Sequence, residues 1–279
     1  MRGAASLGVA LAAGALACAA GSATMRGRGE GESVRVLVYN IHAGKDAGGA
    51  ENLARIGALL RERAPDLVLL QEVDRGTVRS GHVDQLAVLA RESGLHAVFG
   101  RTLDYDGGAY GIAVLSRWPV LADTVRTLPV DPPQARAGGS YEPRGILEVR
   151  VEAPGGALTV LNTHLDASVD DAYRWQEVQA VLAVAQAAAE ETGGRVLLGG
   201  DFNAEPGSRV VAAPGAAGFV DAFGDCGRGS PLTYPARQPT KRIDYLWLGS
   251  AFRCIGAEVL GSEASDHRPV LFDLVPVAR

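Results

Sequence analysis

The sequence predicts an α/β sandwich, two mixed β-sheets packed face to face with a few helices outside. Predicted strands outnumber predicted helices. Many neighbouring strands are joined by short turns, so the strict βαβ alternation of a doubly wound parallel sheet fits poorly. The chain has 279 residues, 47% apolar and 21% charged, enough for a sizeable core in one domain. It carries no internal repeat and no sign of a second domain.

The elements follow in order. Val34–Tyr39 (VRVLVY) is a β-rich strand. Glu51–Arg63 places Leu53, Ile56, Leu59 and Leu60 at helical spacing, and Pro65 stops it. Asp66–Gln71 is an apolar strand, and Asp84–Glu92 a short helix with Asp84 as N-cap. Ala97–Gly100, Gly111–Ser116, Val120–Leu128 and Ile146–Val151 read as strands, and the Pro- and Gly-rich Leu128–Ser140 as a loop. After strand Ala157–Asn162 comes the longest helix, Asp170–Glu191, with Trp175, Val178, Leu182 and Ala185 inward and Gly193-Gly194 ending it. Strands Arg195–Leu198, Arg242–Leu248, Ala257–Leu260 and Val270–Leu274 complete the set.

The first 33 residues stand apart. Arg2 precedes an apolar run, Ala4–Ala17, that suits a signal peptide and is short of the ~20 residues of a membrane span. The run ends Ala15-Leu16-Ala17-Cys18, which resembles a bacterial lipoprotein signal with Cys18 as the lipidated residue, although that pattern prefers Leu where Ala15 stands. Cleavage nearby without lipidation, and an uncleaved anchor, are the rival readings. The expected organisation is therefore a signal peptide with a lipobox over 1–18, a tether over 19–33 and one domain over 34–279. The expected location is the cell envelope as a lipoprotein, or secreted or periplasmic. Cys226 and Cys254 then remain, and an exported domain favours a disulfide between them over two unpaired thiols.

Several function classes are disfavoured. Net charge is −5, whereas a dedicated nucleic-acid module leans basic. Lys45 and Lys241 are the only lysines, and neither completes a P-loop. There is no G-x-S-x-G elbow and no C-x-x-C of a structural zinc site.

Polar residues recur at the ends of strands, Asn40, Glu72, His164, Asp201 with Asn203, and Asp266-His267, with Asp244 inside the strand RIDYLW. Each alone has a bland reading. Asn40 can form a turn, Glu72 can pair with Arg75, His164 can be structural, and Asp201–Asn203 can be an Asx turn. Together they make an oxygen-rich set suited to a hard cation such as Mg²⁺ or Mn²⁺, with imidazoles for acid–base work.

The blocks YNIH (39–42), QEVDR (71–75), YGIAVLSR (110–117), PRG (143–145), NTHLD (162–166), GDFNAEP (200–206), RIDYLW (242–247) and SDHRP (265–269) resemble the endonuclease/exonuclease/phosphatase superfamily, in its order and spacing. That superfamily includes apurinic endonucleases, pancreatic-type deoxyribonucleases, inositol polyphosphate 5-phosphatases and bacterial sphingomyelinases. The resemblance implies a four-layer α/β sandwich and a metal-dependent phosphoester hydrolase using Mg²⁺ or Mn²⁺. By resemblance, Glu72 is the main metal carboxylate, with Asn40 and Asp266 beside the ion. Asp201 orients or deprotonates the water, and Asn203 and His164 contact the phosphate. His267 faces the scissile phosphate, oriented by Asp244. Arg144 binds a phosphate oxygen or forms a structural ion pair. Tyr110 falls near a catalytic tyrosine of some members. YNIHAGKD and RSGHVDQ (79–85) further resemble small bacterial metal-dependent hydrolases and a phosphodiesterase-like domain linked to lipid-anchor remodelling. The expected substrate is a phospholipid-type or small phosphoester. The alternatives are a secreted endonuclease acting on DNA and a non-catalytic surface binding lipoprotein; the full set of site residues favours an enzyme. A monomer is expected, with the membrane as partner only through lipidated Cys18.

Overall fold

Alternation along the strands builds the layers, because successive side chains of a strand point to opposite faces. The computed structural model describes residues 1, 3, 33–128, 130–131 and 142–277. The order of elements is β1 (Val34–Asn40), α1 (Leu53–Arg63), β2 (Leu67–Arg75), α2 (Gln85–Ser93), β3 (His96–Tyr105), β4 (Gly108–Ser116), β5 (Val120–Thr127), β6 (Gly145–Ala153), β7 (Gly156–His164), α3 (Ala172–Thr192), β8 (Val196–Asp201), α4 (Arg209–Ala216), β9 (Val220–Asp221), α5 (Ala222–Cys226), β10 (Gly227–Arg228), β11 (Asp244–Leu248), β12 (Phe252–Val259) and β13 (Val270–Pro276). In β1, Val34, Val36 and Val38 face the space between the sheets, while Leu37 and Tyr39 pack beneath α1 and α2. In β11, Leu246 and Leu248 face the same inter-sheet space, while Tyr245 and Trp247 join the layer under α3 and α4. The result is four layers, helix–sheet–sheet–helix, as expected. Each fully buried Leu or Val side chain contributes about 1.5–3 kcal/mol.

Both sheets are mixed. One has seven strands in the order β10-β12-β13-β1-β2-β4-β3, the other six in the order β5-β6-β7-β8-β11-β9. Each contains one parallel pair bridged by a helix: β1 and β2 across α1, β7 and β8 across α3. The remaining neighbours are antiparallel except β10 and β12. Helix signals behave as their chemistry dictates. Asp84 caps α2 by accepting from Ala87 N at 2.9 Å, and Gly193 ends α3 in a left-handed conformation. On α3, Val178, Leu182 and Ala185 are buried as expected, while Trp175 is only half-buried, beneath the Arg209 guanidinium.

Several boundaries differ from the sequence reading. The strand placed at Ala97–Gly100 runs on to Tyr105, because Asp106-Gly107 forms a two-residue hairpin turn with φ of 48° and 77°. Positive φ at both turn residues matches the twist of the flanking strands, and Asp-Gly supplies it cheaply. Strand β12 begins at Phe252, not Ala257, and bulges between Cys254 and Gly256. The short elements α4, β9, α5 and β10 lack a long periodic signal and have no counterpart in the sequence reading. Cys226 and Cys254 are joined by a disulfide, with Cα atoms 5.7 Å apart, tying the end of α5 to β12. Most of the signal and lipobox, including Cys18, and most of the tether and of the 128–140 loop lie outside the described residues.

Candidate active site

Strand register brings the predicted residues together. His164 ends β7 opposite Asp201, the last residue of β8, and Asp201 is in turn opposite Asp244, the first residue of β11. Three functional side chains thus stand in one row across the six-stranded sheet. Asn40 ends β1 in the other sheet, and Asp266-His267 lies in the loop before β13. Glu72 differs from expectation: it sits inside β2, not beyond it. The β2–β4 ladder shifts register between Leu70 and Val73, and Glu72 has φ of 56°. A bulge of this kind re-aims a side chain, and a non-glycine residue in the left-handed region is strained, which folds tolerate mainly at functional sites. Glu72 does not pair with Arg75, which binds Asp84 instead.

Hydrogen bonds tie the two sheets together at this edge. Asn40 Nδ2 donates to Glu72 Oε1 and to Asp201 Oδ2, both at 3.0 Å, and Asn40 Oδ1 accepts from His42 N at 3.0 Å. His267 Nδ1 lies 3.0 Å from Asp244 Oδ2. The Nε2 atoms of His267 and His164 each lie 3.6 Å from Asp201 Oδ2. Asp201 and Asn203 do form the Asx turn, Asn203 N donating to Asp201 Oδ1 at 2.8 Å, and the same turn carries Asn203 Nδ2 to within 3.1 Å of His164 Nε2. Arg144 forms an ion pair, one of its two expected readings. It pairs with Glu142 at 2.8 Å, its NH1 also reaches His164 Nδ1 at 3.1 Å, and its buried Nε has no partner. Arginine and the amide nitrogen of Asn203 both only donate, so each of the two ring nitrogens of His164 faces a donor. Tyr110 is buried on β4 with the Arg79 guanidinium 5.4 Å from its ring centre.

The electrostatics separate the two imidazoles. Burial pushes His164 well below the usual histidine range, and Arg144 and His267 push it the same way, so it is neutral at pH 7. Burial also works against charge on His267, but Asp244, Asp201 and the Asp244 hydrogen bond outweigh it and push the imidazole up to about 10. Burial raises the carboxyl of Asp201, and the charge of Asp244 adds to it. Glu72 is likewise raised by burial, with Asp266 adding repulsion and Asn40 opposing. Among the described residues, no Lys or Arg forms an ion pair with Glu72 or Asp266. One donor atom from each of Asp201, Asp244 and His267 lies within 4.8 Å of the others, and Asp244 Oδ1 is a buried acceptor without a partner.

Several supporting residues escaped sequence reasoning. Asn162 is fully buried and donates to Leu70 O at 2.8 Å and Ala113 O at 2.9 Å, the carbonyls beside the β2 bulge, while accepting from Gln71 Nε2 at 2.7 Å. Ser265 Oγ donates to Asn40 O at 2.8 Å, and the Tyr234 ring centre lies 4.9 Å from that of His267. Behind His164, Arg174 NH1 holds Asp166 O and Ser168 O, and Glu177 Oε2 accepts from Asp166 N at 2.7 Å. Asn162 and Gln71 fall inside blocks recognised in the sequence, yet a buried amide reads there as any strand residue would.

The sandwich thus gathers carboxylates, amides and two imidazoles of different charge state at one shared edge of its sheets. The model of the Endonuclease/Exonuclease/phosphatase family matches residues 37–267. The uncharacterized protein YbhP of Escherichia coli K12 is 30% identical over 231 residues, covering 78% of this chain and 86% of that protein. An endonuclease/exonuclease/phosphatase structure from Beutenbergia cavernae superposes with a TM-score of 0.67 at 26% identity, covering 88% of this chain and 72% of that one. In fold alone, a mannosyl-6-phosphatase from Bacteroides thetaiotaomicron is similar, with a TM-score of 0.70 at 19% identity over 87% of this chain and all (100%) of that one. The chain belongs to the endonuclease/exonuclease/phosphatase family, whose members are hydrolases acting on phosphoesters.

Proposed function

We propose that this chain is a metal-dependent phosphoester hydrolase acting by in-line attack of an activated water. The observation that carries the reading is Asp201, whose Oδ2 is faced by an amide at 3.0 Å and two imidazole nitrogens at 3.6 Å. A carboxylate raised toward neutrality is suited to orient a water and take its proton. His267, held cationic by Asp244, is suited to donate a hydrogen bond to a phosphate oxygen as charge develops there. His164 and Asn203 flank the same position, and the unpartnered Nε–H of Arg144 offers a further donor.

The donor set fits a divalent cation. Glu72 and Asp266 would hold Mg²⁺ or Mn²⁺, with Asn40 beside them, because two neighbouring carboxylates without a Lys or Arg partner gain most from a dication. The Asp201–Asp244–His267 group already carries its own positive charge on His267. When bound, the cation supplies neutralisation of phosphate charge.

A substrate of phospholipid type, or a small soluble phosphoester, is favoured over duplex DNA by the acidic net charge of −5. Attachment to a membrane through Cys18 belongs to the same reading. A phosphoester panel with Mg²⁺ and Mn²⁺, including plasmid DNA at equal phosphate, tests it. Asp201→Ala and His267→Ala should lose roughly 10²-fold or more in turnover. Full activity in excess chelator or in Asp201→Ala sinks the mechanism. Faster cleavage of DNA than of every other ester makes the chain a secreted endonuclease. Membrane partition lost in Cys18→Ser checks the anchor.

A further inference from the structure

The backbone just past His164 is gripped from behind by helix α3. We infer that Glu177 and Arg174 are positioning residues, which place Asn203 through the peptide unit between Leu165 and Asp166 and so set how tightly the site holds a phosphate group. The inference rests on the reading of Asn203 as a phosphate contact.

One planar peptide links helix and site. Its carbonyl, Leu165 O, accepts from Asn203 Nδ2 at 2.9 Å, and its N–H, on Asp166, donates to Glu177 Oε2 at 2.7 Å. The C=O and N–H of a trans peptide point opposite ways in one rigid plane, so a rotation allowed at the Glu177 end swings the oxygen at the Asn203 end. Hydrogen bonds joined in such a chain also polarise one another. The next carbonyl, Asp166 O, accepts from Arg174 NH1 at 2.9 Å, and the same nitrogen donates to Ser168 O at 2.6 Å. The backbone is thus held on both sides of Asp166 by two side chains three positions apart on α3. Glu177, Asp166 and Arg174 are all buried, so water does not readily replace a lost partner. At the other end, Asn203 has φ of 47°, and besides Leu165 O its Nδ2 meets only His164 Nε2 among the described residues. Burial raises the Glu177 carboxyl to about 7, with the Asp166 N–H and Arg144 opposing. The bond from Asp166 N needs an acceptor oxygen and not a charge, so glutamine can stand in for glutamate.

The test uses the intact chain in MgCl₂, with inorganic phosphate binding read by calorimetry and KM and kcat read on one phosphodiester. A dissociation constant and KM do not depend on the fraction of protein folded, so a merely structural loss leaves both unmoved. Glu177→Leu should weaken phosphate and raise KM by about 10-fold or more, with kcat within about fivefold, because a contact shared by ground and transition states acts on KM. Glu177→Gln should stay within about threefold of wild type in both constants. Arg174→Met releases Asp166 O without touching the Asp166 N–H and should weaken phosphate about threefold or more, which serves where Glu177→Leu does not fold. In an Asn203→Ala background, Glu177→Leu should add less than about threefold, since its effect passes through Asn203. Wild-type phosphate affinity and KM in Glu177→Leu, or in Arg174→Met where the former does not fold, overturn the proposal and leave the hydrolase reading standing. So does a glutamine variant as weak as the leucine one, or a Glu177→Leu effect undiminished in Asn203→Ala. Wild-type phosphate affinity in Asn203→Ala itself overturns both the proposal and the reading of Asn203 as a phosphate contact.

Discussion

Replacing Asn162 by Leu removes the clasp behind the β2 bulge while keeping side-chain volume nearly constant. Three buried hydrogen bonds of 2.8, 2.9 and 2.7 Å are lost, to Leu70 O, Ala113 O and from Gln71 Nε2. Each stranded buried group costs about 1–3 kcal/mol. Gln71 Nε2 keeps a second bond to Leu69 O at 3.2 Å, so its share falls at the low end. The sum is about 3–7 kcal/mol, among the largest losses expected of a single substitution. At roughly 2–4 °C per kcal/mol, the melting temperature should drop by about 6–28 °C. Because the same bulge aims Glu72, turnover in protein still folded should fall by roughly 10²-fold, the usual cost of about 1 Å of misplacement. Urea melts and steady-state rates on one phosphodiester measure both. A variant within about 1 kcal/mol and about threefold of wild type, the combined error of such assays, would falsify the claim that Asn162 holds the bulge.

The remaining predictions follow from single features. His267 is raised from the ordinary imidazole value to about 10, so the stability of its pairing with Asp244 is fully present below about pH 6.5 and is lost as pH rises through about 10. Activity that needs the cation should keep an alkaline limb near 10, and Asp244→Asn should lower that limb by about 1–3 pH units; an unmoved limb refutes the pairing role. At Gly200, with φ of 138°, a Cβ would overlap Thr163 O, so Gly200→Ala should cost about 3 kcal/mol or more in a denaturant melt. Cys226→Ala with Cys254→Ala opens a loop of sequence separation 28 and should cost about 2–4 kcal/mol with unchanged turnover, since Cys254 pairs with Leu274 at the far end of β13 from His267.

Much of the architecture was legible because alternation and helical periodicity are local. VRVLVY announces a strand buried on both faces, and the structure sorts its residues into two layers. The His–Asp–Asp row was half legible: His164 and Asp201 marked strand ends and Asp244 lay inside the predicted strand Arg242–Leu248, but their common register across β7, β8 and β11 depends on which strands pair. The bulge at Glu72 left no local signature: the sequence reading ends the strand at Gln71, and the irregularity shows only in the register of β2 against β4. Short elements such as α5 and β10 were invisible because five- and two-residue segments carry no period. The hairpin extension to Tyr105 was readable in Asp106-Gly107, and the polar RTLDY run obscured it.

The Asn40 amide has a consequence beyond holding two carboxylates. One of its two bonds reaches Glu72 on the seven-stranded sheet, the other Asp201 on the six-stranded sheet, and both are 3.0 Å. The spacing between the two halves of the chemistry is therefore gauged by a single planar group that cannot stretch. Anything that wedges the sheets apart will register there, however remote. At Gly199, an added Cβ would come within 2.9 Å of Leu69 Cδ2 across the inter-sheet layer. A methyl group placed at that depth should act as a shim, and its thickness would be read out as catalytic rate at a site it never touches.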